Sequence, residues 1–454
     1  MNYRDLSFWF DSLAASGADD LTQRPALGED IEVDVAIIGG GLTGLWTAYY
    51  LVRADPGLRI AVLEKHIAGF GASGRNGGWC SALFPASTAS LERRHGRDAA
   101  IAMRRAMIDT VDEVGSVAAT EGVDCDFVKG GTLSLACSAV QLDAARAEVE
   151  EAARYGIDEI VLVDAPPGAN GTLAATLDPA CARLQPAKLV RGLARVVENL
   201  GVTIYEGTEV RDWQPHRVDT SRGTVRAHAI VIATEGYGAA LPKTRRSVLP
   251  LYSLMIATEP LSDATWAEIG VEHGQTFTDF RHLLVYGQRT ADNRFAFGGR
   301  GARYHWGSSI RSDYDRVPRV FEHLQRTLGE IFPAAKDAAI THRWGGPLGV
   351  PRDWHAAASF DPVAGIARAG GYVGDGLSTT NLAGRTLRDL ILRRETELSR
   401  LPWVNHRSPS WEPEPLRFIG ANLGTTAMSI ADTEERVTGR ASLAAKLMGP
   451  LTGH

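Results

Sequence analysis

The pattern of apolar and polar positions changes character along the chain. At 34–38 (DVAII) apolar, mostly β-branched residues follow one another without a polar alternation, which predicts a strand buried on both faces, as in a parallel sheet. Gly39, Gly41 and Gly44 interrupt the run as G-x-G-x-x-G, and a helical stretch follows over 42–52. A second strand at 59–63 ends on Glu64, twenty residues after Gly44. Strand, glycine turn, helix, strand and terminal acid in this register predict a βαβ unit that binds a dinucleotide. Gly39 allows the tight bend, Gly41 the approach of a pyrophosphate, and Gly44 close packing of helix on sheet. The helix N-terminus offers unpaired N–H groups to the phosphates, and Glu64 would meet a ribose diol. Residues 33–52 are also long enough and apolar enough for a membrane span, but the clustered glycines, the initial acid and the lack of basic flanks argue against one.

Elsewhere the pattern predicts helices at 97–121, 141–155, 188–200 and 317–331, and strands at 130–137, 202–206 and 225–234. Residues 1–30 read as an arm anchored by Phe8, Trp9 and Phe10. The glycine-rich stretch 66–85 is too long for a simple turn and reads as a functional loop. From Leu249 the chain becomes strand-rich, with HLLVYGQRT and RFAFGGR joined by a turn at Asp292-Asn293. A second glycine turn followed by a helix occupies 370–392. This order predicts an α/β fold of two discontinuous lobes. A nucleotide-binding domain is expected from 1–85, 186–245 and 345–400, a sheet-containing α+β substrate domain from 86–185 and 246–344, and 401–454 forms a tail without an assigned role.

Composition narrows the function. Apolar residues at 44% and charged residues at 22% fit a soluble globular enzyme, and a formal charge of −6 supplies no basic face for nucleic acid. The start MNYRDLSFWFDSL has no basic-then-apolar leader, and the four cysteines (80, 125, 137, 181) form no C-x-x-C pair. Free thiols in a reducing cytoplasm are expected, with no metal site and no membrane span.

The motifs IIGGGLTGL, GFGASGRNGG, VDCDFVKGGTL and GYVGDG…NLAGRTL together resemble the D-amino-acid oxidase superfamily of FAD enzymes, over most of residues 7–395. The N-terminal third is similar to the gamma-glutamylputrescine oxidase branch. The resemblance implies a glutathione-reductase-type, Rossmann-like FAD-binding domain roofed by a β-sheet, and oxidation of a C–N bond with non-covalent FAD. It places Gly39, Gly41, Leu42, Thr43 and Gly44 on the pyrophosphate, and Glu64 with Lys65 at the adenosine ribose. Gly71, Ala72, Ser73, Arg75, Asn76, Gly77 and Gly78 would follow the pyrophosphate, ribityl chain and flavin edge. Val210 and Thr234 would touch the adenosine half through backbone, and Gly374, Asp375, Gly376, Leu377 and Ser378 the isoalloxazine. Asp375 departs from the Gly-His-Gly of putrescine-type relatives, so the resemblance does not carry the substrate over.

In that chemistry an amine passes a hydride equivalent to flavin N5 and becomes an imine, while the protein supplies placement and electrostatics. A helix starting near Thr379 would aim its positive end at the reduced ring, the plain alternative being an αβ turn capped by Ser378. Tyr286, Arg300 and Asp375 are the catalytic candidates. Arg289 and Arg300 would hold a substrate carboxylate or else form structural ion pairs. Trp79, Tyr252, Tyr286 and Trp344 would cage an ammonium or else belong to the core. Cys80 reads as inert rather than as a flavin tether, and His66 and His342 as structural. The electron acceptor is open between O2, giving hydrogen peroxide, and another carrier. A flavin-binding subunit of a larger complex is a further alternative, and NAD alone would satisfy the first glycine turn.

Overall fold

The computed structural model describes residues 1–299, 303–442 and 445. Its nucleotide-side sheet runs, in order, Ala357–Asp361, Ile366–Gly370, Thr224–Ile232, Ile31–Ile38, Ile60–Leu63 and Thr203–Tyr205. The inner pairings are parallel, and a hairpin (Val210–Gln214, Arg217–Thr220) adds to Thr224–Ile232 antiparallel. Both faces are covered, which explains the unbroken apolar run. Val35 and Ile37 join a core with the helices Leu42–Ala54 and Gly376–Ile391, while Ala36 and Ile38 join another with Trp213 and Val218.

The second sheet runs Ile340–Val350, Leu249–Thr258, Phe295–Gly299, Val285–Arg289, Thr276–Asp279, Thr132–Ala136, Ala174–Asp178 and Val161–Val163. It is antiparallel except where Thr276–Asp279 lies parallel to Thr132–Ala136. Its outer face packs Phe277, Phe295, Phe297 and Phe332 beneath the helix Pro318–Ile331. The inner face, with Met255, Ala257, Ala296 and Tyr286, meets the N-terminal arm. One expectation is revised. The helices Thr88–His95 and Arg97–Thr120 do not sit with the second sheet. Leu91, Met103, Met107, Val111 and Val114 share the core of the nucleotide-side helices, because that is where a complementary apolar face is available. In the tail, for which no element was assigned, residues Leu416–Thr438 form a helix.

The arm is held by polar contacts as well as by its aromatic anchors. Ser7 Oγ donates to Gly74 O at 2.9 Å and Trp9 Nε1 to Asn76 O at 2.7 Å, so the arm grips the glycine-rich loop. Behind the loop the fully buried Glu206 accepts from Ala68 N–H (2.7 Å), Arg24 Nη1 (2.8 Å) and Arg191 Nη1 (3.1 Å). Arg191 also pairs with Asp19 at 3.0 Å. A buried charge network is costly to break from one side, because the remaining charges lose their partner. Glu206→Ala should therefore destabilise the protein by about 3–5 kcal/mol in denaturant titration.

Candidate functional site

Between the two sheets runs a groove of about 500 Å³, at the C-terminal ends of the parallel strands, where ligands of open α/β sheets bind. Its floor is the glycine turn. Gly39 has φ +109° and a Cβ there would lie 2.5 Å from Ala233 O. On Gly41 a Cβ would come within 2.9 Å of Ser73 Oγ, filling the cradle. Gly44 lies beneath, where a Cβ would meet Gly39 O at 2.1 Å. Ser73 Oγ accepts from Leu42 N–H (2.9 Å), so the 69–78 loop caps the helix that Gly41 itself cannot cap. Leu42, Thr43, Gly71, Ala72, Arg75 and Asn76 complete this part of the wall.

Glu64 stands at the edge of the groove, its Oε2 accepting from Gly40 N–H and Oε1 from His66 N–H, both at 2.8 Å. Each oxygen keeps a lone pair for a further donor, which suits a ribose diol. Burial raises its pKa, against the pull of those N–H bonds. Lys65 beside it is tied to Glu209 at 2.6 Å, and Val210 and Thr234 also line the wall. At the far end Gly374, Gly376 and Leu377 open into the groove. The residues therefore fit an extended dinucleotide: a phosphate cradle without Cβ atoms, a carboxylate for the ribose, and a second helix N-terminus opposite the first.

Several predicted residues lie elsewhere. Gly77 and Gly78 pack against the roof. A Cβ on Gly77 would come 2.7 Å from the Tyr286 ring, and Gln288 Nε2 donates to Gly77 O at 2.6 Å. The helix begins at Gly376, not near Thr379, with Asp375 at its N-cap position and without a side-chain cap bond from that residue. Ser378 is buried and donates to Ser81 O at 2.5 Å, away from the groove, so it is not the cap. The four-membered aromatic cage does not form. Strand alternation turns Tyr252 into the outer core, edge-on to Tyr314, while its neighbour Ser253 faces inward. Trp344 is buried beside Phe8 and Trp9, donating to Arg75 O at 2.8 Å. Arg289 points outward, over the Trp266 ring, with Asn293 Oδ1 at 2.7 Å and Asp263 at 3.4 Å. Arg300 lies outside the described residues. Trp79 and Tyr286 do come together, edge-to-face at 6.0 Å, and Tyr286 Oη is 2.7 Å from Ser253 Oγ. Arg75 is committed, bonded to Asp315 and Phe70 O at 2.8 Å each. Cys80 is buried in the helix core and burial raises its thiol far out of the reactive range.

The sequence reading missed Ser253, Gln288, Tyr237, Tyr372, Asp315 and Glu235. Gln288 follows from Tyr286 by period two, whereas Glu235 stands three residues past the end of strand Thr224–Ile232, at the start of a short 3-10 helix that has no counterpart at Glu64. Glu235 has φ +43°, accepts from Tyr372 N–H at 3.0 Å through Oε1, and leaves Oε2 buried without a partner. A Cβ on Gly349 would lie 1.9 Å from that oxygen, so the carboxyl wedges the end of strand Ile340–Val350 against the 370–372 turn. Desolvation pushes its pKa from 4.5 up to about 7, against the N–H bonds from Tyr372 and Gly371.

Two outcomes follow for the groove. Glu64→Ala should weaken retention of FAD about tenfold or more, the value of one good hydrogen bond to a charged group, read as the ratio of flavin to protein absorbance. Glu235 binds its proton more tightly folded than unfolded, so its contribution to stability is full below pH 4.5 and is lost as pH rises through about 7. Thermal denaturation from pH 5 to pH 8 should show this decline, and Glu235→Gln should flatten it.

Comparison with known proteins agrees with this geometry. A family model described as FAD dependent oxidoreductase (DAO) matches residues 34–390. Gamma-glutamylputrescine oxidoreductase of Escherichia coli (strain K12) is 30% identical over 395 residues, 84% of this chain and 88% of that protein. The probable oxidoreductase OrdL of Haemophilus influenzae is 30% identical over 409 residues, 87% of this chain and 89% of that one. The crystal structure of glycine oxidase from Geobacillus kaustophilus matches in fold with a TM-score of 0.70 at 22% identity, covering 83% of this chain and 99% of that chain. The family match takes in both glycine turns and the loop between the sheets, and the chain belongs to the FAD dependent oxidoreductases, with FAD as its cofactor.

Proposed function

We propose that the protein oxidises the C–N bond of a small amine or amino acid to an imine, which water hydrolyses to a carbonyl compound. The observation that carries this reading is the inner face of the roof. There, where the roof meets the glycine-rich loop at Gly77, Trp79 and Tyr286 form an aromatic corner and the Tyr286 and Ser253 hydroxyls pair at 2.7 Å. The relatives support the choice of bond: the similar proteins include a gamma-glutamylputrescine oxidoreductase, a sarcosine oxidase subunit beta and a glycine oxidase. FAD, when bound, supplies the two-electron acceptor for this oxidation.

The chain's own residues do the rest. The N-terminal ends of Leu42–Ala54 and Gly376–Ile391 bring backbone N–H groups and positive dipole ends to the negative parts of the cofactor. Gln288, bonded to Gly77 O and Leu184 O, locks the roof to the loop, which keeps water from the reacting bond. The Trp79 face attracts a cationic or polarised amine, and the Tyr286–Ser253 hydroxyl pair accepts its N–H. The two electrons leave the substrate with the hydrogen on carbon, and the nitrogen proton passes toward that hydroxyl pair. Molecular oxygen then accepts the electrons, giving hydrogen peroxide. The four free thiols fit a reducing cytoplasm, and among the described residues no helix is long and apolar enough to cross a membrane.

The test is an absorbance spectrum of the purified protein followed by anaerobic titration with a panel of amines and amino acids. One class of these should bleach the flavin bands, and admitted oxygen should restore them with peroxide release. Restoration by an artificial acceptor alone would replace the oxidase with a dehydrogenase, and a flavin that no amine bleaches would remove the reading. Tyr286→Phe should lower kcat/KM for the reducing amine about tenfold, the loss of one hydrogen bond, with flavin content unchanged.

A further inference from the structure

The helix Leu416–Thr438 shows an apolar row to solvent. Its body-facing side combines Phe418, Ala421 and Ala431 with polar groups that bond the body of the protein. Asp432 accepts from the N–H groups of His282 (2.7 Å) and Leu283 (3.1 Å), and Glu435 pairs with His282 Nε2 at 3.0 Å. Asn422 donates to Tyr304 O at 3.2 Å, and Glu414, just before the helix, accepts from Tyr304 Oη at 2.7 Å. Its aliphatic row faces outward. Leu416, Leu423, Ile430 and Val437, each seven positions from the last, are 61%, 63%, 56% and 76% exposed, and Ile419 between the first two is 49% exposed. Trp306, also exposed, lies 5.6 Å from Phe418 and widens the patch at one end.

A surface helix normally buries its apolar stripe and shows its charges to water. Here hydrogen bonds and ion pairs, together with Phe418, Ala421 and Ala431, attach the helix to the body, and a row of aliphatic side chains is left without a neighbour among the described residues. The geometry points to self-association: this helix packs along the same helix of a second copy of the chain. Three features choose that occupant. The seven-residue period with a second apolar or small position at Ile419, Thr426 and Thr433 is the seam of a left-handed helix pair, which only a helix of matching period fills. A two-fold axis presents the same seam from both sides. The stripe is almost uncharged, Arg436 at its end being the exception, so it offers no electrostatic means to select an unlike partner.

Charge also argues against a lipid surface. Interfacial helices carry Lys and Arg on their polar face, whereas this polar face is acidic, already bonded, and part of a chain of charge −6. The length is sufficient. A 23-residue helix is about 35 Å long, enough for three heptads to meet along a partner helix. The family match ends at residue 390, so this surface belongs to the part of the chain beyond it.

Sedimentation equilibrium of the full-length holoprotein tests the assignment. The wild type should sediment at twice 48.9 kDa at micromolar concentration. The double variant Leu423→Glu, Ile430→Glu changes only outward positions, so it should keep its melting temperature and flavin content while its dimer dissociation constant rises at least about a hundredfold. Leu423→Met should remain dimeric. A wild type that stays monomeric overturns the proposal. A dimer indifferent to the double variant does the same, since association then uses another face. Co-sedimentation with anionic vesicles that the double variant abolishes, in a protein otherwise monomeric, overturns it in favour of a membrane contact.

Discussion

The structure depends on backbone meeting backbone where no Cβ could stand. Strand end, glycine turn and C-terminal helix converge at Gly39, Gly44 and Gly384. Side chains there would lie 2.5 Å from Ala233 O, 2.1 Å from Gly39 O and 2.6 Å from Trp46 C. The last of these contacts joins segments more than three hundred residues apart, and together they set the spacing of the groove. The walls carry specific groups, but their separation is decided beneath them. This is why a site assembled from eight stretches of sequence needs few bonds between its lining side chains.

The nucleotide half of this arrangement was legible because its signals are local. A strand buried on both faces, a glycine turn and a strand-end acid are each written in consecutive residues, and Glu64 sits where that pattern puts it. The roof was harder to read. Its strands show period two, but both faces are apolar: Leu254 and Ile256 serve one core, Met255 and Ala257 another. Alternation alone does not say which face looks inward. Tyr252 was therefore expected beside Trp79 and Tyr286 but faces the outer core, and Trp344, which does face inward, is covered by Phe8 and Trp9 of the arm. The parallel pairing of Thr276–Asp279 with Thr132–Ala136 joins segments too distant for any sequence window.

The tail shows the same limit in another form. Gly420 and Gly424 weaken a helical reading of 416–438, and its outward face carries Leu416, Leu423, Ile430 and Val437, so amphipathicity judged by the usual inside-apolar rule does not find the attached side. The bonds of Asp432 and Glu435 to His282 and the packing of Phe418 on Tyr304 show which side is attached.

The groove that receives a dinucleotide is lined by four carboxyl groups, Glu64, Glu209, Glu235 and Asp315, which at first sight should repel its phosphates. The surroundings remove the conflict. Asp315 is balanced by the Arg75 guanidinium at 2.8 Å, and burial still pushes its pKa up to about 6. Burial pushes the Glu235 pKa up to about 7, which favours its neutral form, and Glu64 is held by two N–H groups. Two of the side-chain cations at the groove are held by these acids, Arg75 by Asp315 and Lys65 by Glu209, while Arg311 also lines it. At the glycine turns the attraction for the pyrophosphate comes from backbone: the N–H groups and dipoles of the two helices that begin at Leu42 and Gly376. Such partial charges are fixed by the fold and need no rearrangement when the ligand arrives. The glycines that bring those backbones within reach thus govern both the packing of the sheet and the affinity of the site.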